Sequence, residues 1–389
     1  RMAETAQPFH ARSVLRHRDG HHARVTFEEL FFDLVYVFAV TQISHALLHH
    51  LTLAGLIETL VLWFAVWLGW QYTCWATNWL DPETPRVRLL LFATMLAALV
   101  MAASIPQAFG ERGLVFAVAY ASIQVGRTAW VLCLLPAGHA LRRNYQRMLG
   151  WLSIAAVFWV AGGLVEHEAR LLLWLLAVLC EYLSPMCGFA LPGLGRSRTQ
   201  EWTIEGAHLA ERCQLFVIVA LGETLLASGA KFAEAPWDAA GVSALLATFL
   251  GTLALWWLYF GTTSKDASDT IVQSSDPGRI GAYFHYIHAI LVAGIIGSAV
   301  ANDLILAHPH EAVRPATLAV LLGGPAVYLL GSAIYKRVVY GRIASSHIVG
   351  ALALLALVPW AWGHGLLTIG WATTAILLAI SAWDLRRKA

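Results

Sequence analysis

Acidic and basic side chains lie inside two long apolar segments of this chain. The first segment contains Glu29 and Asp33, and a later segment, 207–229, contains Glu211, Arg212 and Glu223. A charge at membrane depth is costly, so it usually faces a cavity, a partner or a transported ion. Carboxyl groups in such places hold a proton or a cation, or donate a proton in catalysis. The sequence therefore predicts a membrane protein with a polar interior.

Composition and segment length support membrane insertion. Of the 389 residues, 58% are hydrophobic and 13% are charged, which is more apolar surface than a soluble domain of this size needs. The apolar residues recur in runs of about 18–25, and a helix of that length crosses about 30 Å of hydrocarbon. We predict an all-α polytopic transmembrane bundle with about twelve spans. The predicted spans are 27–49, 54–78, 87–105, 113–135, 149–165, 169–189, 207–229, 239–260, 280–306, 313–335, 343–362 and 365–384.

The basic residues are divided unequally between the two sides of these spans. Twenty of the 26 Lys and Arg residues fall on the side of the N-terminus and four on the opposite side, so both termini are predicted to be cytoplasmic. Residues 1–26 form a basic segment without the apolar core of a cleaved signal, and the first span is expected to direct insertion. The basic face predicts contact with anionic lipid. No nucleic-acid partner is predicted, because the charges are scattered over loop ends.

The two halves of the chain resemble each other weakly. Residues 33–42 read DLVYVFAVTQ and residues 214–223 read QLFVIVALGE. We interpret 27–189 and 207–389 as two six-helix halves in the same orientation, joined by a cytoplasmic linker over 190–206. Parallel repeats of this kind place binding sites between the halves near the middle of the membrane.

Polar residues of the first span gather on one side of the helix. Glu29, Asp33, Tyr36 and Ser44 fall within a sector of roughly 80°, whereas Gln42 and His45 lie deeper and on a different face. One interpretation is a cation or proton site. The other is that Glu29 and Asp33 accept hydrogen bonds from a neighbouring helix and hold the packing.

The seventh span repeats this pattern. His208, Arg212 and Glu223 fall within roughly 60° of one another, and Glu211 lies to the other side. Arg212 is expected to pair with Glu211, or across the bundle with Glu29 or Asp33, and a structural and a functional role both stay open. Glu223 has no partner nearby in sequence. It is therefore expected to stay protonated or to hold a cation, and it is the main functional candidate.

Aromatic residues suggest a cavity, with packing alone as the alternative. The residues predicted to line it are Tyr36, Trp67, Trp70, Tyr72, Trp257 and Tyr259. Such a cavity binds cations on its ring faces or encloses an isoprenoid chain. No metal or other cofactor is predicted, except that Asp266 and Asp269 would hold Mg²⁺ for a diphosphate if the protein were an isoprenoid enzyme.

Three stretches of sequence resemble one known family. They are FEELFFDLVYVFAVTQISHAL at 27–47, HLAERCQLFVIVALGETLLASG at 208–229 and WWLYF at 256–260. They are similar to the bacterial low temperature requirement protein A (LtrA) family. The resemblance implies a polytopic protein of the bacterial cytoplasmic membrane, named for a growth phenotype in the cold. The positions that match the family pattern are Glu29, Phe32, Asp33, Gln42, His45, His208, Glu211, Arg212, Gly222 and Glu223.

Three hypotheses for function follow. The first is a secondary transporter or ion pathway that uses Asp33 and Glu223 as proton or cation sites. The second is a membrane-embedded enzyme for a lipid or isoprenoid, in which Asp33 or Glu223 donates a proton inside an aromatic cavity. The third is a membrane scaffold or lipid-stress factor. The sequence predicts a small molecule, an ion or a lipid as the substrate and leaves the oligomeric state open.

Overall fold

The computed structural model describes residues 13–18, 23–261, 271 and 273–386, and within these ranges it is helical, without named strands. Eleven helical spans of this part of the chain are long and apolar enough to cross a membrane. The helices are α1 (Phe27–His49), α2 (Leu53–Trp79), α3 (Pro85–Ser104), α4 (Gly113–Ala121), α5 (Arg127–Leu134), α6 (Leu141–Leu164), α7 (His167–Met186), α8 (Gly206–Glu234), α9 (Ala239–Phe260), α10 (Pro277–Ala307), α11 (Pro315–Tyr340), α12 (Ser345–Ala356), α13 (Val358–Ala361) and α14 (Leu366–Arg386).

Two predicted spans are interrupted. The span predicted over 343–362 is the shorter pair α12 and α13, which breaks at Leu357. Pro359 lies at the start of α13 and cannot donate a backbone hydrogen bond, so the helix cannot run through it unbroken. The span predicted over 113–135 consists of α4 and α5 joined by a π-helical turn, Ser122–Gly126. Arg127 follows this turn directly, which matters because π-turns often occur at functional sites.

The spans alternate in direction, so the bundle has two faces. We call the face where α1 begins, at Phe27, the near face, and the face where α1 ends, at His49, the far face. The helices α8 and α10 also begin at the near face. Whether the near face is cytoplasmic stays a prediction from the distribution of basic residues.

The helices of each half have neighbours in the same order. In the first half the packing runs from α1 through α3, α4, α6, α7 and α2 back to α1. In the second half it runs from α8 through α10, α11, α12, α14 and α9 back to α8. The halves meet where α1 and α2 pack against α8 and α10. The duplication itself, and the boundaries at 27–189, 190–206 and 207–389, stay predictions.

The helix crossing between α10 and α11 depends on glycine. A Cβ atom on Gly297 would lie 2.8 Å from Gly324 Cα, and one on Gly324 would lie 2.6 Å from the carbonyl carbon of Gly297. Small residues let membrane helices approach this closely, and van der Waals contact then holds them together. A Cβ atom on the adjacent Gly323 would meet nothing within 4 Å.

These distances predict opposite results for neighbouring glycines. Gly324→Ala should destabilise the protein by about 1–3 kcal/mol, because the added methyl group separates the two helices. Gly323→Ala should be neutral or stabilising by up to about 1 kcal/mol, because alanine favours a helix. Unfolding in detergent measures both variants. Equal stability of the two would contradict the proposed crossing.

Candidate functional site

Arg212 joins the two halves of the protein through two ion pairs. Its Nη1 donates to Glu29 Oε1 at 3.0 Å, and its Nη2 donates to Asp33 Oδ1 at 2.6 Å. Trp70 Nε1 donates to the same Asp33 oxygen at 2.7 Å. Both carboxylates and the guanidinium group are buried. Arg212 therefore pairs across the bundle with the acids of α1.

Glu211, the alternative partner that the sequence predicts for Arg212, lies apart from these ion pairs. It is half-buried, and its Oε2 accepts from the backbone N–H of Val25 at 3.4 Å.

Glu29 accepts hydrogen bonds from three parts of the chain. Its Oε2 accepts from the backbone N–H of Thr26 at 2.9 Å, in a capping box at the start of α1. The same oxygen accepts from Arg16 Nη2 at 2.8 Å. His208 Nε2 lies 3.0 Å from Oε1. The capping box explains why Glu29 is located at this position in α1, and the other contacts connect it to the N-terminal segment and α8.

Asn78 determines which nitrogen of His208 carries the hydrogen. Asn78 Oδ1 accepts from Glu205 N at 2.8 Å, which orients the amide so that its Nδ2 donates. That Nδ2 lies 3.2 Å from His208 Nδ1, which must then be the acceptor. His208 therefore carries its hydrogen on Nε2 and donates it to Glu29.

Arg16 closes the near-face end of this site. The segment 13–18 pairs with the end of α2, where Arg16 N donates to Trp79 O at 2.8 Å and Arg16 Nε donates to Thr77 O at 2.6 Å. We call Arg16, Glu29, Asp33, His208 and Arg212 the ion-pair cluster. It balances two carboxylates with two guanidinium groups around a neutral imidazole, and such balance is what makes buried charge tolerable.

The ion-pair cluster keeps some hydrogen-bonding capacity. Asp33 Oδ2 and Arg212 Nε are buried and have no hydrogen-bond partner among the described residues. Leaving such atoms without a partner costs about 1–3 kcal/mol each. The cluster can therefore accept and donate further hydrogen bonds without losing its ion pairs.

Glu223 lies in a second polar site, farther along the same helix contact. It is eleven residues beyond Arg212, or about 16 Å along α8. Thr41 Oγ1 lies 2.6 Å from Glu223 Oε1 and 3.1 Å from Val37 O. No described basic residue forms an ion pair with Glu223, in contrast to Glu29 and Asp33. Arg16 and Arg212 thus neutralise the near-face acids only.

Glu223 faces a groove between α1 and α8 whose floor is α10. The groove has a cavity volume of about 30 Å³, which is room for about one water molecule. Its polar lining residues are Thr41, Ser44, His45, Glu223, Thr224 and Asp303. Leu48 and Asp303 lie near the far-face ends of α1 and α10, so the groove extends from Glu223 toward the far face. We call it the Glu223 groove.

An apolar layer separates the ion-pair cluster from the Glu223 groove. On α1 the layer contains Val37 and Val40, and on α8 it contains Phe216, Val217 and Ala220, all of them buried. Tyr36 lies on a different side of α1, where its hydroxyl group is 3.0 Å from the place of a Cβ atom on Gly69 of α2 and has no hydrogen-bond partner among the described residues. The contact between α1 and α8 therefore consists of a polar cluster, an apolar layer and an acidic groove.

The other predicted site residues do not gather in one place. Trp67 and Trp70 are buried and pack against Phe216. The remaining predicted positions are placed as follows: Gln42 is half-buried, His45 is exposed, Tyr72 is buried with its ring beneath Arg127, Trp257 is exposed, and Tyr259 is stacked on Tyr335 with its hydroxyl group 2.6 Å from His288 Nε2.

The conditional prediction of a Mg²⁺ site stays a prediction. The described part of the chain holds no group of three or more His, Cys, Asp or Glu residues arranged to bind a metal ion. Asp266 and Asp269 lie outside the described residues.

Two further buried networks involve residues outside the predicted site. Arg127 and Glu181 are connected through Gln124 and Tyr120, in hydrogen bonds of 2.6–2.8 Å. Lys336 forms an ion pair with Asp384, which also accepts from Ser346. The signal for this ion pair in the sequence is that Lys336 and Asp384 lie at the near-face ends of the tenth and twelfth predicted spans. For Arg16 the sequence indicates only a place in the basic segment 1–26, since nothing in its local sequence shows that it folds back.

A bundle of apolar helical spans with buried ion pairs at its centre defines a polytopic integral membrane protein. The chain belongs to the bacterial low temperature requirement A protein (LtrA) family, whose family model matches residues 24–382. An uncharacterized protein of Rhizobium meliloti (strain 1021) is 38% identical over 376 residues, which is 95% of this chain and 91% of the relative. No solved structure matches this chain.

The ion-pair cluster predicts a large effect of one substitution. Arg212→Ala should destabilise the protein by about 3–5 kcal/mol, because it leaves two buried carboxylates with too little positive charge. Arg86→Ala is the matched control: Arg86 is an exposed arginine on α3, and its loss should change stability by less than about 0.5 kcal/mol. Unfolding titrations in mixed micelles measure the difference. Similar losses in the two variants would show that Arg212 does not hold the halves together.

Proposed function

We propose that this protein is a secondary transporter of the bacterial cytoplasmic membrane, with cytoplasmic termini, and that Glu223 is its proton- or cation-binding residue. The observation that carries the proposal is the difference between the two polar sites. The ion-pair cluster is charge-balanced and closed, whereas Glu223 lies in a groove without a described basic partner. An acid of this kind inside a membrane protein typically marks an ion or proton pathway.

Thr41 is placed to serve both protonation states of Glu223. A hydroxyl group has one hydrogen to donate and can accept as well. When Glu223 is ionised, Thr41 donates to it across 2.6 Å. When Glu223 is protonated, it donates to Thr41 Oγ1, and Thr41 donates to Val37 O at 3.1 Å instead. The hydrogen bond between Thr41 and Glu223 is kept in both protonation states, so this geometry suits a reversible proton site.

The remaining features suit alternating access. On the near-face side of Glu223 the contact between α1 and α8 is closed by the apolar layer and by the ion-pair cluster, which includes Arg16. On the far-face side the Glu223 groove is open. Protonation of Glu223 would remove an uncompensated charge and allow α1 and α8 to close around it. To open the near face, Arg16 and Arg212 would have to leave Glu29 and Asp33 and pair with other groups.

The enzymatic alternative has less support. Asp33 Oδ1 is occupied by Arg212 and Trp70, and an acid held as an ion pair is a poor proton donor. The aromatic residues predicted for its cavity are packed against neighbours or exposed on the outside. The Mg²⁺ predicted for that alternative would depend on Asp266 and Asp269, outside the described residues.

The test of the proposed function is proton binding inside the membrane. Purified protein in vesicles on a solid-supported membrane should give a transient current after a pH jump, because a proton entering the Glu223 groove moves charge partway across the bilayer. Glu223→Gln should reduce this current by about tenfold or more, because the amide cannot take up the proton. A sodium jump at constant pH tests the cation alternative with the same protein.

Glu234→Gln is the matched control. It is the same substitution on the same helix, at the exposed far-face end of α8, and it should leave the current unchanged. Absence of current for both ions, or full current in Glu223→Gln, would contradict the assignment of Glu223.

The near-face closure has a separate test that uses native cysteines. Cys213 is buried beside Arg212, and Cys74 is buried on α2. In a variant with Cys133, Cys180 and Cys187 replaced by serine, Arg16→Ala should speed modification by a membrane-impermeant thiol reagent added at the near face. We expect an increase of about tenfold, since Arg16 closes the route to the ion-pair cluster.

Arg24→Ala, which removes an exposed side chain in the same N-terminal region, is the control for this experiment. It should leave the modification rate unchanged. Equal rates in the two variants would mean that Arg16 does not close the near face.

A further inference from the structure

A second groove lies outside the proposed ion site and opens to the lipid. It runs between α2 and α11, with α10 as its floor and the end of α1 beside it, and it has a cavity volume of about 600 Å³. Its lining is apolar apart from Thr52 and Thr59, and it includes Leu60, Trp63 and Val327. Leu53, Leu56 and Val327 are exposed at its mouth. We call it the lipid-facing groove.

The length of the lipid-facing groove matches one leaflet of a bilayer. Along α2 it extends from Thr52 to Trp63, and along α11 from Ala316 to Val327. Each stretch covers eleven residue steps, a rise of about 16 Å. The hydrocarbon core of a bilayer is about 30 Å thick, so one leaflet accounts for about 15 Å. The groove therefore has the depth of a single acyl chain that enters from the far face.

A polar pocket adjoins the far-face end of this groove. It has a cavity volume of about 470 Å³, and its polar lining residues include His50, Glu58, Gln107 and His167. His167 Nε2 lies 2.9 Å from Glu58 Oε1. Thr52 and Thr59 line both the pocket and the groove. An apolar slot one leaflet deep therefore adjoins a polar, ionisable pocket at the level of lipid headgroups.

We propose that these two spaces form a binding site for one membrane lipid of the far leaflet. Its acyl chain occupies the lipid-facing groove, and its headgroup reaches the pocket of Glu58 and His167. The proposal concerns a site apart from Glu223. The two grooves share only Ile296 on α10, and they lie on opposite sides of the contact between α1 and α10. A bound lipid would press against Ile43 and Leu47 and so support the helix that carries Thr41.

Gly323 offers a way to fill the groove without disturbing the fold. It lines the groove, and a side chain at this position starts in open space. Gly323→Leu should therefore occupy the place of the acyl chain. Gly229→Leu is the matched control, because Gly229 also lies on an apolar helix, is exposed, and has nothing within 4 Å of an added Cβ atom. Both variants should unfold at the same temperature as the wild type or slightly above it.

The experiment uses phosphatidylethanolamine and phosphatidylglycerol with a photoreactive acyl chain, incorporated in vesicles with the purified protein. In the wild type, crosslinks should concentrate in peptides that contain 52–63 and 316–327. Gly323→Leu should reduce them by about tenfold, and Gly229→Leu should not. Crosslinks spread evenly over all lipid-facing helices, or unchanged in Gly323→Leu, would overturn the site.

The two headgroups test the polar pocket. Glu58→Gln should change the ratio of phosphatidylethanolamine to phosphatidylglycerol crosslinks while their position stays in the groove. An unchanged ratio would refute the headgroup assignment. The pH-jump current of Gly323→Leu distinguishes this site from the proposed ion site. Loss of lipid with the current retained supports a separate lipid site, and loss of current with lipid retained would contradict it.

Discussion

The ion pairs of Arg212 with Glu29 and Asp33 are the interaction on which the arrangement of the two halves depends. Removing an ion from water into a low-dielectric interior costs several kcal/mol, and only close partners offset this. Arg212 supplies both pairs from α8, while both acids belong to α1. The two helices are therefore held in one register and at one rotation. The positions of Thr41 and Glu223 farther along the same contact follow from that register.

The contact between α1 and α8 has unequal ends. At the near face, every formal charge of the ion-pair cluster is matched by one of opposite sign. Toward the far face, Glu223 and Asp303 border the Glu223 groove, and no described cation pairs with Glu223. Between them lies a layer of apolar side chains, which exchange partners more easily than ion pairs do. A contact of this kind can be rigid at one end and adjustable at the other.

Much of this architecture was predictable from the sequence. Span positions follow from hydrocarbon thickness and run length, so eleven of the twelve predicted spans are long apolar helical spans. Charges in apolar helices must find partners, so the pairing of Arg212 with Glu29 and Asp33 was one of the alternatives considered. The break at Leu357 was less accessible, because proline is tolerated in many membrane helices.

Other features depend on contacts between distant parts of the chain. Arg16 reaches the ion-pair cluster only because segment 13–18 folds back over the end of α2. Nothing in its local sequence distinguishes it from a basic residue at the membrane surface. The predicted aromatic cavity shows the same limit. Trp70 and Trp257 look equivalent by residue type and spacing. Trp70, however, donates to Asp33, whereas Trp257 is exposed on the outer surface of the bundle.

The separation of Asp33 and Arg212 in the chain has a consequence for biosynthesis. Asp33 enters the membrane with the first helix, and its partner lies 179 residues later. At about 5–20 residues per second, the ribosome takes roughly 10–40 s to reach it. During that interval the first six spans carry two acids without Arg212. The nascent first half must keep these acids protonated, in water at the membrane surface, or shielded by the insertion machinery. Final closure of the bundle therefore waits until α8 has been translated.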